Sequence, residues 1–561
     1  MQSALRTLGL LLVLNVVAAG QESAGKADDE FGALRDAYLA KYRPLWLESK
    51  AAGWEANTIG SDATFARRKA ADKALVELHS DAALFAHLKA LKDGGQVCDP
   101  VLRRELDMMY RTFLSGQAEP ALQKRIVELE SDVEQIFNTH RSQVGEKTLT
   151  ENEVREILAT TSDSAAAETA WKGYMAVGGK AAARLGELVA LRNELARQLG
   201  FRNYYSMRLA LQEIDEVELF KLFDELDALT RAPFAKLKGE IDAERAARFN
   251  VAVSALRPWH YGDLFFQEAP GGQEVNLDDY FRDTDMVELS KRYYASIGLP
   301  VDDILARSSL YEQPGKSPHA FCTDMDRVGD VRVLCNLKPN VYWADTLLHE
   351  LGHGVYDKYI DRDVPFLLRR ASHGITTEGI ALMFGAMAKN EQWLTEALKL
   401  DPGEAARAGQ AARRWLRTEK LVFARWTQVM VRFEHGMYSD PEQSLGQLWW
   451  GLKKRYQLLN PPETVDRPDY AAKAHILTTP VYYHSYQMGD LFAAQVQHHI
   501  AREVLDGQEP GKTSFHGKPE VGAYLREKVF APGNLYRWDE LTERATGEKL
   551  TARYFAAEFV E

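Results

Sequence analysis

This chain of 561 residues has little cysteine, no long apolar run after its first twenty positions and no clustered positive charge, and each shortage excludes a class of protein. Three cysteines cannot staple a chain of this size, so stability must come from an ordinary hydrophobic core, and the 45% apolar content supports a large one. Past residue 20 nothing approaches the ~20 consecutive apolar residues of a membrane-crossing helix. Basic residues are outnumbered, 69 Lys and Arg against 81 Asp and Glu, and they are scattered among the acids, which argues against a nucleic-acid partner. No Asn-x-Ser/Thr sequon occurs, a composition that fits a bacterial periplasmic protein better than a eukaryotic ectodomain. Internal repeats and low-complexity linkers are also missing.

What is present begins with the leader. MQSALRTLGLLLVLNVVAAG places Arg6 ahead of an apolar run of about a dozen residues and then the small residues Ala18, Ala19 and Gly20, the pattern of a signal peptide cleaved near Gly20. The expected organisation is therefore residues 1–20 as signal peptide and 21–561 as one helical domain, secreted or periplasmic, without stable membrane insertion after cleavage. Cys322 and Cys335 flank TDMDRVGDVRVL, which reads as a hairpin turning near Val328 and Gly329. In an oxidising compartment cross-strand cysteines there could be bridged, two free buried thiols being the alternative, and Cys98 is expected to be buried and inert.

From Asp28 to about Gln212 long stretches such as ALQKRIVELESDVEQIFNTHRSQV have the period of amphipathic helices, and a second helical block covers about Glu216 to Ala247. A looser Pro- and Gly-punctuated stretch follows. HAFCTDM and VRVLCNL are the expected strands, and helices return from Trp343 to the end. The expectation is a mainly α protein with one small antiparallel β ribbon.

The chemistry centres on TLLHELGHGVYDKYI. On a helix His349 and His353 project from one face, close enough to share a tetrahedral ion, and Glu350 beside them suits a proton acceptor. Chance matches to H-E-x-x-H occur in exposed helices, but Leu347, Leu348, Leu351 and Val355 mark this one as buried. Gly352 and Gly354 weaken the helix by roughly 1 kcal/mol each relative to Ala, which points to close packing of another backbone or a bound group. A third ligand is needed. Glu378, in the first turn of a helix expected to begin near Thr376, is one candidate, although a carboxylate there also complements a helix N-terminus. His373, in the preceding loop, is the rival.

These residues resemble the angiotensin-converting enzyme family of zinc peptidyl dipeptidases, a similarity running over roughly residues 30 to 500. That family pairs H-E-x-x-H with a ligand Glu one helix and loop later, and Glu378 falls 29 residues after His349. In SPHAFC the resemblance assigns His319 and Ala320 to the substrate backbone. In YGDLFFQ it assigns Gln267 to the substrate carboxylate. In KAHILTTPVYYHSYQ it assigns Lys473 and Tyr483 to that carboxylate, and His475 and Tyr486 to the tetrahedral oxyanion. WWGLKKRYQ and LRNELARQLGF are further similar stretches.

The resemblance implies a two-lobed helical zincin peptidase with a deep central cleft and one zinc per chain held by His349, His353 and Glu378. Glu350 would move the proton, and a monomer would release C-terminal dipeptides from short peptides with a free C-terminus. The alternatives are a related helical zinc oligopeptidase, a metallocarboxypeptidase, or a non-catalytic peptide-binding homologue. Three departures stand out. The Tyr-x-x-Tyr pair fits only with one extra residue after Thr479, so Tyr482 competes with Tyr483. Leu382 stands where the family often has an acid, leaving the zinc histidines' supporting partner unidentified. Lys453 replaces an expected Arg and no Arg follows Tyr483, which speaks against the chloride binding of some members.

Overall fold

A computed structural model of the chain describes the backbone of residues 2–271 and 275–560, and within these ranges the side chains from residue 25 onward. The expected export signal, residues 1–20, falls where side chains lie outside those described. Among the described residues no helix is long and apolar enough to cross a membrane.

The fold is mainly α, as the periodicity predicts. Its long helices start where a side-chain acceptor satisfies the free amides of the first turn: Asp163 caps Ser164–Gln198, Asp215 caps Glu216–Phe249, and Asp401 followed by Pro402 opens Pro402–Ser439. One large hydrophobic cluster runs through most of these helices. A second gathers the N-terminal helices around Phe31, Tyr38, Trp46 and Phe113 and includes Phe366 and Leu367 from the segment that links the two candidate ligand helices.

The expected ribbon is present but shorter than expected, Phe321–Asp324 pairing antiparallel with Val331–Leu334. Its turn is tightened by Asp326, whose carboxylate accepts from the amides of Val328, Gly329 and Asp330. A second ribbon, Ser142–Val144 with Lys147–Leu149, was not expected. The helical period of the preceding stretch masks it: the helix Pro120–Thr139 stops at His140, and Gly145 at φ 62° turns the chain back.

The ribbon's register overturns the disulfide. Cys322 pairs with Val333, leaving Cys335 two residues out of register beyond the strand end, and all three cysteines are free. Cys98 is exposed instead of buried, at the turn before the helix Pro100–Leu114. Burial raises the thiols of Cys322 and Cys335, which keeps both unreactive.

Three helices place the candidate site: the motif helix Val341–Lys358, the acid helix Gly374–Gly385 and the tyrosine helix Tyr483–His499. Gly352 accounts for the first of the motif's two glycines. A Cβ there would stand 2.8 Å from the Cα of Ala381, so the motif and acid helices cross at a distance only glycine permits. Gly379 repeats this on the opposite side, where a Cβ would meet Phe492 at 2.7 Å and the Gly489 carbonyl at 2.9 Å. Gly354 faces the side chains of Ile304 and Cys322.

Thiol titration checks the register. The native protein should expose one fast-reacting thiol, Cys98, and unfolding without reductant should release three. A count of one after unfolding would restore the bridge.

Candidate functional site

The crossing decides which polar groups meet. The motif helix, capped at Asn340, presents His349 and His353 one turn apart, their rings 5.0 Å apart and nearly perpendicular. The acid helix begins at Gly374, two residues before the expected start, with His373 as its cap: the ring Nδ1 accepts from the Ile375 amide. His373 is not among the donors that cluster with His349 and His353, and burial depresses its pKa to about 4. Glu378, one turn in, then faces the motif helix.

His349 Nε2 lies 3.8 Å from one Glu378 oxygen and His353 Nε2 lies 3.6 Å from the other. Donor atoms of all three lie within 4.8 Å of one another. A tetrahedral zinc ion bonded at ~2.0–2.1 Å spaces its ligands about 3.4 Å apart, so this set fits the ion with small adjustments. Burial, followed by the charge of His349, holds His353 near 3, so its imidazole is neutral and able to ligate.

Thr377 is a candidate for the supporting partner that the sequence leaves unidentified. Its hydroxyl lies 2.7 Å from His353 Nδ1, which turns Nε2 toward Glu378. No spacing rule points to a threonine adjacent to the ligand acid. The contact exists because the helices cross within reach of each other.

Glu350 is 7% exposed, and its carboxyl is pushed up to about 8, first by burial and then by the charge of Glu378, while the Cys322 amide pulls it down. A cation held by the three donors would draw that value down and leave an ionised proton acceptor at neutral pH. His319 and Ala320 stand immediately before the strand carrying that amide, with His319 exposed. They are outside the wall of the cavity described next.

Glu378 also lines a cavity of about 580 Å³, together with Gln267, Lys473, His475, Tyr483 and Tyr486. The structure thus brings five of the expected substrate and oxyanion residues to the lining of one cavity. Lys473, 6% exposed, donates to Gln267 Oε1 at 2.6 Å, and its ammonium lies 5.6 Å from the Tyr483 ring. Burial lowers the pKa of Lys473 to about 8, against the attraction of Asp263. His475, lowered by burial and by Lys473 to about 4, packs on Tyr483.

Val481, at φ 57°, absorbs the extra residue after Thr479. Its amide donates to Glu434 at 2.7 Å and its carbonyl accepts from Gln212 at 3.3 Å. The tyrosine helix therefore begins with Tyr483 facing the lysine, while Tyr482 is 37% exposed and packs against Tyr486.

The family model described as Angiotensin-converting enzyme, Peptidase M2, matches residues 28–238 and 273–559. Over 563 residues the chain is 25% identical to the angiotensin-converting enzyme of Oryctolagus cuniculus, covering 92% of this chain and 42% of that protein. It is similar also to thermostable carboxypeptidase 1 of Pyrococcus furiosus, at 24% identity over 43% of this chain and 51% of the other. Oligopeptidase A of Salmonella typhimurium is 23% identical over 58% of this chain and 56% of its own. The chain spans less than half the length of the angiotensin-converting enzymes it matches.

Thr377→Val tests the support of His353. It should lower zinc affinity by about 10- to 100-fold with the fold intact. Unchanged affinity in a metal-buffer titration would show that the hydroxyl does not orient the ligand.

Proposed function

Since the chain belongs to the angiotensin-converting enzyme family, Peptidase M2, we propose that it is a zinc metallopeptidase that removes dipeptides from the free C-termini of short peptides. The observation that carries the finer part is the buried Lys473–Gln267 pair beside Tyr483, in the cavity that also contains Glu378. A buried ammonium with hydrogen-bond donors around it recognises a carboxylate, and a peptide's terminal carboxylate distinguishes an exopeptidase from an enzyme that cuts internal bonds.

His349, His353 and Glu378 would hold the zinc. When bound, it would polarise the scissile carbonyl and acidify water. Glu350 would accept the proton from the attacking water at its carboxylate and pass it to the leaving amine. Tyr486 and the neutral imidazole of His475 would donate hydrogen bonds to the developing oxyanion. The strand edge at His319 and Ala320 would offer backbone partners to the extended substrate. Chloride has no part in the proposal: Lys453, at the position where the resemblance expects an Arg, already has its ammonium on the Phe265 carbonyl and on Gln457, each at 2.7 Å. The leader reading adds that the mature protein acts outside the cytoplasm.

Mass spectrometry of products from a defined decapeptide tests the reading directly. Dipeptides should leave the C-terminus stepwise. Amidating that terminus leaves the ammonium unpaired, a loss of roughly 2 to 5 kcal/mol, so the acid should be cut tens to thousands of times faster than the amide. Equal rates with internal cuts would place the enzyme with the oligopeptidases, and single residues with the carboxypeptidases.

The pH dependence follows from Lys473. Its depressed pKa means that the ammonium is present below about 8 and lost above it. For the acid peptide kcat/KM should therefore fall as pH rises through about 8, while the amide's is unaffected by this ionisation. Parallel profiles for the two peptides would exclude Lys473 from carboxylate binding.

A further inference from the structure

Behind the cavity wall lies a second buried lysine, which the proposed chemistry leaves without a task. Lys453 is 2% exposed, and its Nζ donates to the Phe265 carbonyl and to Gln457 Oε1, each at 2.7 Å. Trp426, Trp449 and Trp450 surround it, with ring centres 5.0, 5.3 and 5.8 Å from the ammonium. Lys473 lies 5.5 Å from the same Trp426 ring, so two ammonium groups share one indole. An enclosed cation with no carboxylate bonded to it is expensive to keep in a core.

The groups that Lys453 holds explain its place. The segment 263–267 carries Gln267 and is bent sharply: Asp263 accepts from the amides of Phe265 and Gln267, and Phe266 sits at φ 52°, a conformation bulky side chains avoid. Lys453 and Gln457 fasten this bend from behind. Gln457 donates to the Phe266 carbonyl at 2.5 Å and to the Phe265 carbonyl at 3.3 Å, while Trp171 holds the Leu264 carbonyl. The result is the bend that turns the Gln267 side chain onto Lys473. Asp263, 6% exposed and paired with Arg155, faces both lysines electrostatically and balances part of their charge.

We propose that Lys453 is a positioning residue for the terminal-carboxylate pocket: it clamps the bend that aims Gln267 and places a second buried cation behind Lys473. The inference rests on the reading of that pocket given above. Burial lowers the pKa of Lys453 to about 7, and an arriving carboxylate restores the charged form, so this cation responds to the substrate group that the pocket selects. A side chain serving the fold alone would affect acid and amide substrates alike. One serving the pocket acts on the acid.

The test uses Lys453→Met, which fills the space without charge or donors, and Lys453→Gln, which keeps a donor and loses the charge. The decapeptide acid and its amide are assayed with each zinc-loaded full-length variant, and zinc content and a thermal melt identify folded protein. In either folded variant the acid-over-amide ratio should fall by about tenfold or more, through KM for the acid, with kcat little changed. An unchanged ratio, or an equal loss on acid and amide, would overturn the inference. If the wild-type protein itself shows no preference for the acid, the pocket reading fails and this inference with it.

Discussion

The site depends on one close crossing. The three candidate ligands meet where the motif and acid helices approach nearer than side chains normally allow, and Gly352 against Ala381 is where they do. Gly379 then brings the tyrosine helix against the other side of the acid helix. Each glycine costs its helix roughly 1 kcal/mol in isolation, and packing along the buried stripe of the motif helix offsets that cost. Glu378 projects between the three helices, which is why a single carboxylate belongs both to the ligand cluster and to the cavity wall.

Around that crossing the protein keeps ionisable groups out of water. His353 is held neutral and Glu350 is pushed upward by the same burial, so the state of these two groups follows from desolvation more than from any ion pair. At and behind the cavity wall the sign reverses. Lys473 and Lys453 are buried lysines whose pKa values burial depresses, against the attraction of Asp263.

Much of this was legible before any coordinates. The amphipathic helical period of the apolar residues gave the helices, and the H-E-x-x-H pattern gave a candidate ligand pair because four residues on a helix return to one face. Errors came where local pattern and tertiary context disagree. The helical signal through HRSQV hid a three-residue ribbon, since strands that short carry no period of their own. The symmetric placing of Cys322 and Cys335 around a turn suggested a bridge that a two-residue shift in register denies. Cys98 was expected inside only because cysteines usually are.

The sequence by itself determined the fold class and, through the resemblance it carries, the family and the order of the candidate residues along the chain. These depend on periodicity, spacing and residue type, which are properties of the chain alone. Tertiary structure shows which candidates come together: Glu378 and not His373 lies with the two histidines, Tyr483 and not Tyr482 faces Lys473, and Thr377 touches His353 although no motif announces it. It also showed Lys453 behind the pocket. Such choices turn on which groups lie within hydrogen-bonding reach after helices distant in sequence have packed. That distance is set by the glycine-permitted crossing and by a left-handed valine at a turn, and neither has a signature in local sequence.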